Sequence, residues 1–149
     1  NSLKNNYTFC WYHFNKFLFT FTNRWKVEFK DLEILCIGMV VLINAIQNKE
    51  FITKKYHMNS FRKKIMKADT RGVNAMSISD ITGIPRPTVV RKLKYLIDKK
   101  FLHINDKKLI TYNPEDSAFV TTKGMVNKNM ISLSNFIYKV FNQIRIINT

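Results

Sequence analysis

The sequence predicts a mainly α-helical chain that carries one β-hairpin, and three observations predict it. Only four Gly and three Pro occur in 149 residues, and two of the prolines stand two residues apart, so helix breakers are scarce. Three segments repeat apolar residues at alternating spacings of three and four, as helices do when they pack along their length. A single pair of short β-prone runs, Phe101–Ile104 and Lys108–Tyr112, flanks the turn-forming Asn105–Lys107, which is the pattern of a tight hairpin.

The first seam is Tyr7, Trp11, Phe14, Leu18, Phe21 and Trp25. Phe17, Phe19 and Phe21 also alternate with Leu and Thr as a strand would; a helix is the expectation adopted. The second seam is Phe29, Leu32, Cys36, Met39, Ile43 and Ile46, and the third is Met130, Leu133, Ile137, Val140, Ile144 and Ile147. Further apolar residues lie off these seams, among them Phe9, Tyr12, Leu35, Val40 and Phe141. A helix apolar on more than one face is usually buried on more than one face. Either the helices cover one another within a monomer, or the long N- and C-terminal helices form a homodimer interface. The second reading is preferred, with the third seam as its contact residues.

Charges replace the apolar pattern between Asn48 and Tyr56, which marks a connection. A short helix follows, capped by Asn59 or Ser60, with Phe61, Ile65 and Met58 inward and Arg62, Lys63, Lys64 and Lys67 outward. Asp69–Gly72 reads as a turn. Ser77 or Ser79 can cap the next helix, whose buried residues are Ile78 and Ile81. Gly83 ends it, because glycine adopts positive φ at a helix C-terminus without steric cost. Ile84 plugs the corner, and Pro85 and Pro87 occupy the opening turn of a further helix, where a missing N–H costs nothing. There Val89, Leu93, Leu96 and Ile97 form a core stripe, and Pro87, Thr88, Arg91 and Tyr95 project opposite. Three helices and a hairpin in this order describe a winged helix-turn-helix: a three-helix core with a β-hairpin wing, recognition helix at 85–99 and wing at 101–113. The expected organisation is 1–55 for N-terminal supporting or dimerising helices, 56–121 for the winged unit and 122–149 for a C-terminal dimerisation helix, all within one compact domain.

Lys and Arg number 25 against 10 Asp and Glu, a formal charge of +15, and an anionic partner follows. A chain rich in Lys, Asn and Ile can be basic through codon bias alone, so the distribution of charge is the sharper test. Lys54 to Lys108 hold 15 basic and 4 acidic residues, +11 of the total. Double-stranded DNA is therefore the expected partner. Arg86 and Arg91 can fork onto guanine O6 and N7, the Thr88 methyl can meet a thymine methyl, and Lys92 and Lys94 flank them for phosphate. Pro87 and Tyr95 share that outward face, and Lys107 and Lys108 at the wing tip can reach phosphate or the minor groove.

The stretch Gly83-Ile-Pro-Arg-Pro-Thr-Val-Val-Arg91, followed by Leu93, Leu96 and Phe101-Leu102, resembles the helix-turn-helix of the cyclic-AMP receptor (Crp/Fnr) type and of MarR and IclR regulators. Phe119-Val-Thr-Thr-Lys-Gly124 is similar to the segment joining wing to terminal helix in MarR-like proteins, and helices on both sides of the winged unit favour a MarR-like arrangement. The resemblance implies a sequence-specific transcriptional regulator that dimerises through its terminal helices, with Arg86, Thr88 and Arg91 at positions that contact bases or backbone. It also implies room between the helices for a small-molecule effector, which the sequence does not identify. Two departures matter: Pro87 stands where Glu or Ser is common, and Phe101 replaces the usual Gly before the wing. The operator therefore does not transfer.

Cys10 and Cys36 stand alone without metal-ligand or disulfide spacing, which fits a reducing cytoplasm and no cofactor. The longest apolar run, Ile34–Ile43, spans ten residues, half of the ~20 that a bilayer requires, and no signal-peptide pattern is expected. His13, His57 and His103 form no zinc or acid–base motif, and no phosphate-binding glycine loop exists, so catalysis is not expected. The alternative to a regulator is a winged-helix replication-initiator or protein-interaction module. Membrane-surface association of the aromatic, basic N-terminal segment is a third reading.

Overall fold

The computed structural model describes residues 2–29, 31–47, 49–67, 72–113 and 117–144. Among them the chain is mainly helical with one two-stranded antiparallel sheet. The elements in order are α1 (Ser2–Asn5), α2 (Tyr7–Phe29), α3 (Leu32–Ile46), α4 (Lys49–Thr53), α5 (Met58–Lys67), α6 (Ala75–Thr82), α7 (Arg86–Asp98), β1 (Leu102–Ile104), β2 (Ile110–Tyr112) and α8 (Ser117–Ile144). Two compact units result, Asn1–Lys30 with Thr122–Thr149, and Asp31–Thr121. The first boundary lies at Asp31 and not at the expected 55, because α3 belongs to the second unit and not to a set of N-terminal supporting helices, and the second lies after Thr121.

In the first unit the ambiguous Phe-Leu-Phe-Thr stretch is helical. Thr20 and Thr22 donate their hydroxyls to the carbonyls of Lys16 and Leu18, at 2.8 and 2.9 Å, which satisfies both side chains within the helix. Aromatic rings then meet one turn apart along α2, Phe17 to Phe21 tilted, Phe21 to Trp25 edge to face and Trp25 to Phe29 stacked, with centroids 6.0, 6.1 and 5.0 Å apart. Phe136 of α8 joins this ladder at Phe17, 5.6 Å away. Arg24 Nη1 donates to Asn129 Oδ1 and Ser132 Oγ, each at 2.9 Å. Along the predicted seams, Tyr7, Trp11, Phe14 and Leu18 of α2 and Met130 and Ile137 of α8 are exposed, and Leu133 and Val140 are half-buried. The side chain of Ile144, and Ile147 itself, lie outside the described residues. The Phe119–Gly124 motif falls in the opening turns of α8.

The second unit is built around α3, which packs on α6, α7 and β2. Its core holds Ile34, Leu35, Ile37, Val41 and Ala45 from α3, Ile78 from α6, Ile84 from the turn, Val89, Leu93 and Leu96 from α7, and Leu102 from β1. The predicted seam of α3 is thereby corrected. Leu32, Cys36, Met39 and Ile43 face outward, and the buried stripe is rotated to 34, 37, 41 and 45. α3 is apolar all round, so its own period does not select a face. In α6, Ile81 is exposed, contrary to expectation, while Ile78 is fully buried. α5 starts earlier than predicted, with Asn59 and Ser60 inside its first turn. The side chains of Met58, Arg62, Ile65 and Lys67, and the turn at 69–71, lie outside the described residues. β1 and β2 pair in the register Leu102↔Tyr112, His103↔Thr111 and Ile104↔Ile110. Val73 adds a short third edge by exchanging two 2.9 Å backbone hydrogen bonds with Ile110.

Candidate nucleic-acid interface

The turn between α6 and α7 follows from local chemistry. Asn74, not Ser77 or Ser79, caps α6: its Oδ1 accepts from Ser77 N at 2.9 Å. Ser79 instead ties the corner by donating Oγ to Ile84 O at 2.7 Å. Gly83 is left-handed at φ 71°, and its N–H reaches Ser79 O at 2.8 Å. Pro85 precedes α7 and Pro87 lies in its first turn, so two of the four N–H groups that a helix start leaves unpaired are absent. No side chain caps α7.

At its other end α7 closes with Lys100 in the left-handed region, φ 60°. Lys100 N donates to Ile97 O at 2.8 Å and Phe101 N to Leu96 O at 2.9 Å, the paired bonds of a Schellman cap. The conformation that favours glycine therefore falls on Lys100, and Phe101 itself is half-buried beside the strand. In the hairpin, Asn105 Oδ1 accepts from Lys107 N and Leu109 N at 3.1 and 2.9 Å. Lys108 takes φ 58°, the left-handed residue that closes a three-residue hairpin loop. Asp106, Lys107 and Lys108 form the exposed tip.

On α7 the exposed stripe is Arg86, Pro87, Val90, Arg91 and Lys94. Thr88 and Tyr95, expected at its centre, are half-buried at its edge. Val90, 52% exposed, belongs to the stripe although it is not among the expected outward residues. Lys92 departs furthest from expectation. It is only 8% exposed, and its Nζ binds the Asp31 carboxylate and Glu33 Oε2, the latter at 2.7 Å. Position 92 borders the buried stripe, and the acidic first turn of α3 meets it there, so Lys92 holds two helices together and is not a phosphate ligand. Seven other cations between 86 and 108 remain exposed, against Asp98 and Asp106. Arg86 and Arg91 make no ion pair among the described residues.

The hydrogen bond from Lys92 holds the Asp31 carboxyl below the usual carboxylate range, helped by the backbone N–H groups of Glu33 and Ile34. Burial pulls the Lys92 ammonium down, but its bonds to Asp31 and Glu33 outweigh this and its pKa lies above the ordinary lysine value. A depressed carboxyl stabilises the fold above its unfolded pKa and stops doing so as pH falls through the folded value. Asp31→Asn keeps the helix cap and removes the charge. It is expected to cost up to about 1 kcal/mol at neutral pH, since Asp31 and Glu33 remain partly solvated, and to flatten the acid limb of a stability–pH curve. An unchanged acid limb would show that the pair contributes nothing.

The first unit holds a groove of about 170 Å³ lined by His13, Lys16, Phe17, Ser132, Phe136 and Lys139 among others. Burial, then the charges of Lys139 and Lys16, lower the His13 pKa, so the groove is cationic beside two rings. Among the described residues no His, Cys, Asp and Glu cluster could hold a metal ion, and no helix is long and apolar enough to cross a membrane. No protein-family model, curated protein or solved structure matches the chain.

Proposed function

We propose that the Asp31–Thr121 unit is a winged helix-turn-helix that binds double-stranded DNA, with α7 in the major groove and the β1–β2 hairpin on the backbone or minor groove, and that the protein is a MarR-like transcriptional regulator. The observation that carries the reading is the exposed stripe of α7, where two arginines that make no ion pair among the described residues stand at the helix end that follows the Gly83–Pro85 turn. A helix of this kind presents its first two turns to base edges. Lys107 and Lys108 at the hairpin tip supply the sequence-independent phosphate attraction. Selection of bound duplexes from a random DNA library tests the reading: a regulator enriches one motif, whereas a protein-interaction module enriches none.

The protein acts as a homodimer in this reading. Support comes from the apolar side chains that α2 and α8 leave exposed, Trp11, Tyr12, Met130, Ile137 and Phe141 among them, more than a lone unit usually presents to water. A dimer predicts a near-palindromic selected site, with half-sites about one or two helical turns apart; a replication-initiator module working as a monomer would select an asymmetric one. Ile137→Asp places a carboxylate in that face and is expected to weaken dimerisation about tenfold or more, read by light scattering across a dilution series. An undisturbed dimer would move the interface elsewhere. The cationic groove beside Phe17 and Phe136 is where a small-molecule effector, an anion by its lining, would sit.

A further inference from the structure

The outward stripe of α7 has a restricted chemistry. From Arg86 to Ile97 the helix contains no Asn, Gln, Asp or Glu. Adenine is read in the major groove by Asn or Gln and the cytosine amino group by Asp or Glu, whereas guanine is read by Arg or Lys and thymine by apolar contact with its C5 methyl. Over the first three turns of α7 only the last two kinds of reader are exposed; Asp98, also exposed, stands in its last position. Arg86, Arg91 and Lys94 are the first kind. Val90 sits among them, 52% exposed, one turn after Arg86 and one turn before Lys94. A β-branched side chain half in water on a helix lowers helix propensity and adds little to the core; what sets Val90 apart from other exposed apolar residues of the unit is its place between Arg86, Arg91 and Lys94.

We infer that Val90 is a specificity-determining residue that reads thymine through its methyl group. This rests on the DNA-binding reading above. Pro87 beside it adds apolar surface and no hydrogen bond, so a wrong base opposite Val90 is discriminated by lost methyl contact and not by an unpaired polar group.

The test replaces each thymine of the selected duplex, one at a time, by deoxyuridine, which removes the methyl and keeps every hydrogen-bonding atom. Wild type is expected to lose about fourfold in affinity at one position, the worth of one buried methyl group. Val90→Ala lacks both γ methyls and should show a smaller penalty for deoxyuridine at that position. The exposed site and the higher helix propensity of alanine keep the variant folded, which circular dichroism checks. Deoxyuridine scans that are flat for wild type, or a penalty that persists undiminished in Val90→Ala, overturn the assignment of Val90 alone. Failure to enrich any duplex overturns the DNA-binding reading, and this inference with it.

Discussion

Truncating Leu96 to alanine is expected to cost the Asp31–Thr121 unit about 2–5 kcal/mol of stability. Leu96 is 1% exposed and lies on α7, the helix that packs on α3, α6 and β1. Its Cδ1 approaches α3 at Gly38, 4.0 Å from where a Cβ there would stand. Gly38 has no side chain with which to fill the space, so the removed atoms leave a cavity and not a repacked contact. Urea denaturation monitored by circular dichroism should show the loss. A change below about 1 kcal/mol would mean that α7 is not seated on α3 at this point. Because the chain forms two units, the shift should fall on one transition if the two melt separately.

Arg91→Ala is expected to weaken binding to the selected duplex by about 1–3 kcal/mol while leaving binding to unrelated DNA nearly unchanged. The guanidinium is exposed on the α7 stripe, makes no ion pair among the described residues, and has the forked donors that guanine O6 and N7 accept together. On the proposed DNA-binding reading, its removal deletes a base contact more than a charge. Lys107→Ala is the contrasting substitution, since a phosphate contact at the hairpin tip carries no sequence information. That variant should lose affinity for every duplex and lower the slope of log K against log salt by about 1. The two signatures are separable by fluorescence anisotropy at several salt concentrations with selected and scrambled duplexes. If Arg91→Ala lowered both affinities equally, Arg91 would be a backbone contact and the reading of α7 would shift toward its first turn.

Not every feature of the candidate interface was legible in the sequence. The α6–α7 corner and the hairpin could be read because each is fixed within a few residues. Gly83 takes a φ that other residues resist, Pro85 and Pro87 tolerate only the opening of a helix, and Asn105 folds its side chain onto the loop it begins. The left-handed lysines were not legible, because Lys100 and Lys108 lack the glycine that marks such positions. Each is held there by backbone bonds from the cap and the hairpin. Asn74 escaped as a cap for a simpler reason: two serines close behind it offered the same chemistry.

What the sequence by itself determined is the list of elements: a mainly helical chain, a Gly-Pro corner before a basic helix, and a lysine-tipped hairpin. What only the tertiary structure decided is which side of each helix faces inward. The even apolar coat of α3 fits burial of 32, 36, 39 and 43 as well as burial of 34, 37, 41 and 45, and the choice falls to α6, α7 and β2, which lie on the second set. That same packing carries Asp31 and Glu33 to Lys92, some sixty residues onward, and takes one cation out of the expected DNA-binding set while leaving Val90 in the open. Turn chemistry acts over one or two turns of chain and is written where it acts. A helix face is chosen by whatever packs against it, and that partner is remote in sequence.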